Sequence, residues 1–168
     1  MYTIPMQQIG SIVVLMVLVV AGMFLIQEKD TQQPASPPFS VVSVPFTEVL
    51  RGDQSSVKSR VNYLITAEEG LTELVKLIGT KNTLPEVDFD THFVVAVFAG
   101  EQTIGGHRIA INKVEDVPSS RTVTIDRISP GEGCSTTQVL TSPYQVVTVP
   151  VTELAFTHED TLVAVACK

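Results

Sequence analysis

The chain has 168 residues, 44% of them hydrophobic, and a formal net charge of −7. That acidic balance excludes a nucleic-acid binder, which needs a basic patch or stripe. No polybasic run is present either, so peripheral attachment to anionic lipid is excluded.

After an eight-residue flank (1–8), Ile9 to Ile26 is an uncharged run of eighteen residues, the usual threshold for a helix that spans a bilayer. It predicts a single N-terminal transmembrane anchor over 9–26. A cleaved signal peptide ending near Ala21 is the competing reading. The run is long for a signal h-region, and the leading MYTIPMQQ has no Lys or Arg. Only Lys29 lies close to the span, so positive charge gives little guidance to orientation.

Residues 27–38 include TQQPASPP, a polar, proline-rich stretch expected to be a stiff, extended linker. One domain is expected over 39–168, with one core. It opens on FSVVSVPFTEVL, strand-like but broken at Pro45, as a bend or edge strand would be. Arg51-Gly52-Asp53 has the form of an adhesive tripeptide, although polar QSS follows it and a plain turn is the expectation. Val61 to Ile65 is a short strand. Thr66 and Glu69 have capping-box spacing. Leu71, Leu74, Val75 and Ile78 then share one helical face, and Gly79 ends the helix.

Past Pro85 the pattern is that of strands. FVVAVFA (Phe93–Ala99) is apolar throughout, which predicts a central strand covered on both faces. RIAINKVED alternates with Ile109 and Ile111 inward, and RTVTIDRI with Val123 and Ile125 inward. SPYQVVTVPV and TLVAVAC supply two more strands. The fold class expected is mainly β (α+β): an antiparallel β-sandwich or half-barrel with one amphipathic helix. FVVAVFA and HRIAINKV are expected to pair as a hairpin through GEQTIGG. One of Gly105 and Gly106 would supply a positive φ, and the other a bulge or a bare backbone for a partner.

Catalytic machinery is not legible. His92, His107 and His158 lack metal-ligand spacing, no Gly-x-Ser-x-Gly frames a serine, and PGEGCST lacks a phosphate-loop lysine. Asp88 and Asp90 are expected in a solvated turn. Cys134 and Cys167 are the two cysteines, and beyond an N-terminal anchor they predict a disulfide in an oxidising compartment. Two free buried thiols, or a nucleophilic Cys134, are the alternatives. The domain is therefore expected outside the membrane, with no metal and no cofactor.

VDFDTHFVVAVFAGEQTIGGHRIAINKVE, followed by a Pro-Gly turn and LTSPYQVVTVP, resembles the PrcB C-terminal domain family. The matching positions are Gly100, Thr103, Gly105, Gly106, Pro130, Gly131, Ser142, Pro143 and Tyr144. Ile104 stands between Thr103 and the glycines, and His107 replaces the usual aromatic residue. The resemblance implies a non-catalytic domain that binds another protein, as a subunit of a bacterial surface protease complex. It marks Thr103, Gly105, Gly106 and His107 as the expected contact residues. A looser likeness to chagasin-type inhibitors gives the alternative, a protease inhibitor acting through the Gly-Gly hairpin.

Overall fold

The computed structural model describes residues 40–79 and 84–167, so the expected flank, span and linker (1–8, 9–26 and 27–38) lie outside the described residues. Among the described residues no helix is long and apolar enough to cross a membrane. The elements in chain order are β1 (Val42–Val44), β2 (Thr47–Gly52), β3 (Val61–Ile65), α1 (Glu68–Ile78), β4 (His92–Phe98), β5 (Arg108–Val117), β6 (Ser120–Pro130), β7 (Tyr144–Pro150) and β8 (Ala155–Val165). They form two four-stranded sheets, ordered β1-β5-β6-β8 and β2-β7-β4-β3. The strand pairs are antiparallel except β6 with β8, which run parallel.

The chain changes sheets four times: between β1 and β2, β4 and β5, β6 and β7, and β7 and β8. Pro45 separates β1, paired with β5, from β2, paired with β7. Proline cannot donate to a ladder, so the break falls where one sheet ends and the other begins. Arg51 and Gly52 belong to β2, which corrects the expected turn. The Tyr144 ring lies where a Cβ on Gly52 would project.

Strand β4 explains its own composition. Val95 and Val97 join Val147, Val149, Ile109, Ile111, Val114, Val123 and Ile125 in a core shared by the two sheets. Val94, Ala96 and Phe98 face the other way, into a second core with Leu74 and Ile78 of α1. Both faces are covered from Phe93 onward, so the strand is apolar at every position from Phe93 to Phe98. Each fully buried Val or Phe contributes about 1.5–3 kcal/mol by leaving water.

Helix α1 ends as expected, with Gly79 at φ 65° donating its N–H to Val75 O, but it starts one residue later than the capping box requires. Its N-cap is Ala67, with no side-chain cap. Ala67 is extended, at φ −153° and ψ 160°, and Ile65 packs against the space beside Gly70. That close packing sets the entry of the helix in place of a hydroxyl cap.

The expected hairpin of β4 with β5 is not formed. Strand β4 has β3 on one edge and β7 on the other, so no edge is left for β5. The chain crosses to the other sheet, where β5 lies between β1 and β6. GEQTIGG is therefore a crossing between sheets, and there is no Gly-Gly hairpin. A bulge between Ile111 and Lys113 adds Asn112 to β5 and returns Val114 to the inward side with Ile109 and Ile111.

Two buried polar side chains tie the sheets together. Gln145 on β7 accepts the Ile111 N–H at 2.5 Å and donates to Glu48 of β2. The hydrogen bond from Arg51, with a smaller one from Gln145, holds the Glu48 carboxyl below its usual range against the opposing effect of burial. Arg121 of β6 clasps Asp116 at 2.6 and 2.8 Å and donates to Pro150 O at the end of β7. Its guanidinium also lies over the Phe156 ring, 5.7 Å from the centroid.

Candidate functional site

At one end of the two sheets, three segments that follow strands come together: 100–107 after β4, 131–143 after β6, and 166–167 after β8. They wall an open groove of about 670 Å³. Hydrogen bonds fix the wall. Gly105 N donates to Thr137 O at 2.9 Å, and Gln102 and Thr141 exchange backbone bonds at 2.8 and 2.9 Å.

The two glycines have separate physical roles. Gly106 has φ +89°, where an L side chain is strained, and its α-carbon sits against the Pro130 ring. Gly105 is buried, and a Cβ there would meet Thr137 Oγ1. The bare backbone is thus approached by the chain's own 134–141 segment.

His107 is half-buried and lines the groove with both glycines, Arg108 and Cys134. Thr103 is exposed and is not among the lining residues. Three of the four expected contact residues are therefore brought together. Cys134 and Cys167 lie at disulfide distance, with Cα atoms 5.5 Å apart, and close the floor of the same groove. Half of the remaining lining is hydroxyl side chains, among them Ser135, Thr136, Thr137 and Thr141, and the rest includes Asp53, Val139 and Val165. The Thr141 hydroxyl oxygen is buried without a hydrogen-bond partner.

The fold keeps the three histidines apart. His107 lies on the groove wall, whereas His92 opens β4 and bonds Thr91, and His158 lies on β8. Asp88 shapes a turn, accepting from Asp90 N at 3.0 Å and from the Thr91 hydroxyl at 3.0 Å. Among the described residues no group of three or more His, Cys, Asp or Glu is placed to hold a metal ion.

Residues 93–150 match the family model described as PrcB C-terminal. This is the family that the sequence resembles. No curated protein and no solved structure matches the chain. The PrcB C-terminal match begins inside β4 and ends with β7, so it contains the glycine crossing and the 131–143 wall.

Of the residues that carry the PrcB resemblance, Gly105, Gly106 and Pro130 line this groove, and Gly131, Ser142 and Tyr144 are held by neighbours outside that set. Gly106 meets Pro130, and Gly131 donates to Val165 O at 2.8 Å. Ser142 donates to Val57 O at 2.6 Å and shares a 2.7 Å bond with Ser55. Tyr144 stacks on Phe98 with centroids 5.9 Å apart. Burial, and then the nearby Asp53 charge, push the Tyr144 phenol above its usual pKa. Sequence reasoning missed Thr137 and Thr141, which build the facing wall. The signal available was the uncharged STT run beside Cys134.

Proposed function

We propose that this chain is a membrane-anchored, extracytoplasmic, non-catalytic protein-interaction domain that serves as an accessory subunit of a surface protease complex. The observation that carries the reading is the PrcB C-terminal match over residues 93–150, because the groove walls lie largely within that stretch. The partner docks on the groove beside Gly105, Gly106 and His107, with Thr103 on its outer approach. The anchor is the uncharged run 9–26. A cysteine pair at disulfide distance supports an oxidising compartment for the domain.

The test is co-purification from native membranes through a tag after Lys168, followed by assay of the captured protease. A subunit co-purifies with an active protease. An inhibitor instead lowers the activity of purified protease in trans, and that outcome would replace the subunit reading with the inhibitor one.

A further inference from the structure

Four strand edges bound the two sheets, belonging to β1, β8, β2 and β3. Exposed edges invite pairing with another chain, and proteins usually blunt them with brevity, charge, proline or a bulge. Strand β1 has only three residues, β2 is bulged at Glu48/Leu50, and β8 carries His158, Glu159 and Asp160 in its centre. Strand β3, VNYLI, has none of these devices. It is uncharged, lacks proline, and pairs with β4 in unbroken register from Val61 to Ile65. Among the described residues its other edge is hydrogen-bonded only at its start, where the Arg60 side chain donates to Val61 O at 3.0 Å and to Asn62 Oδ1 and pairs with Asp160 of β8 at 2.6 Å, leaving Tyr63 and Leu64 free.

An apolar cleft lies on each side of that edge. Between the sheets, Leu64, Val95, Ile125 and Phe156 line a cleft of about 170 Å³. On the helix side, Tyr63, Leu74 and Leu77 line one of about 310 Å³, rimmed by Glu73; Glu73 pairs with Lys76 at 2.6 Å, and Glu68 and Glu69 leave the helix acidic overall. Tyr63 and Leu64 are 38% and 44% exposed, so both clefts open beside the free edge. Successive side chains of a strand point to opposite faces. A strand added to β3 would therefore place one side chain in the inter-sheet cleft and the next in the helix-side cleft. Main-chain bonds would supply affinity, and the two clefts selectivity.

We infer that β3 is a second docking edge, separate from the groove, which takes an extended segment of a different polypeptide by strand addition. The segment carries two consecutive apolar residues, the larger on the helix side. A basic residue follows on that same side, opposite Glu73. A second copy fits less well, because it would bring its own charge of −7 and the same Glu73 rim to the contact.

The test uses the full-length chain in lipid nanodiscs and the capped peptide Ser-Val-Leu-Thr-Lys-Ser. Bound peptide should slow amide exchange within Asn62–Leu64 by about tenfold or more, with no slowing in the 131–143 wall. Leu64→Glu, and separately a peptide N-methylated at alternate amides, should each weaken binding about tenfold or more, whereas His107→Ala should not. The N-methylated peptide needs no variant, so a folding defect in Leu64→Glu leaves the test intact. Unchanged exchange in β3 at millimolar peptide, or equal affinity for the N-methylated peptide, would overturn the inference. So would a concentration-dependent dimer abolished by Leu64→Glu, since a second copy would then occupy the edge.

Discussion

Arg121 holds both carboxylate oxygens of Asp116, at 2.6 and 2.8 Å, from a position only 4% exposed. Because Arg121 also bonds Pro150 O and lies over Phe156, it joins the turn of one sheet to the last strands of both. Arg121→Ala should destabilise the protein by about 3 kcal/mol, the low end for breaking a buried pair, since Asp116 keeps partial contact with water. Chemical denaturation of the two proteins measures this directly.

The same pair sets a pH dependence. The hydrogen bond from Arg121 holds the Asp116 carboxyl below the usual carboxylate range, against the opposing effect of burial. A depressed folded pKa gives stability that is fully present above the unfolded pKa and is lost as pH falls through the folded one. The protein should therefore lose stability below about pH 4. Asp116→Asn should be less stable at neutral pH, with a flatter loss in acid. An identical acid slope in both proteins would assign the effect to other carboxylates.

Much of the fold was legible because burial leaves a pattern. Strand β4 is apolar from Phe93 to Phe98 since both its faces are covered there, and Ile109, Ile111, Val123 and Ile125 alternate as one-sided strands do. What was hidden depends on long-range geometry. Asn112 gives no local sign of being a bulge, and no property of GEQTIGG says that both edges of β4 are already occupied. Arg121 was legible in principle, for it shares the inward phase of Val123 and Ile125. A charge at that phase must be paired, and Asp116 lies just across the turn. At the site, the paired glycines marked the place, but the facing wall at Thr137 comes from a segment without periodicity.

The two glycines should respond differently to added side chains. Gly106→Ala places an L residue at φ +89°, with a cost of about 1–3 kcal/mol. Gly105→Val forces the 134–141 segment away through Thr137 and should destabilise further, with loss of amide protection at Gly105. Native-state hydrogen exchange and thermal melts separate the two effects.

Bonding Cys134 to Cys167 closes a sequence separation of 33 residues. The chain-entropy model gives about 3–4 kcal/mol for a loop of that size. Cys167→Ser should lower the melting temperature by several degrees, which scanning calorimetry resolves. Unfolded, unreduced wild-type protein should show no titratable thiol.

Thr141 offers a substitution in the opposite direction. Its hydroxyl oxygen is buried and unpartnered, so removing it with retention of shape relieves a desolvation cost. Thr141→Val should be neutral or stabilising by up to about 1 kcal/mol in denaturant titrations.

The central claim is that the groove beside His107 docks another protein. The most direct measurement compares capture from native membranes by the wild type, by His107→Ala and by Glu153→Ala, which is exposed between β7 and β8. All three should be within about 0.5 kcal/mol of one another in stability, as surface changes usually are. A partner retained by the wild type and by Glu153→Ala but largely lost by His107→Ala is the predicted result. Full capture by His107→Ala would contradict the account and leave Gly105 and Gly106 with a folding role alone.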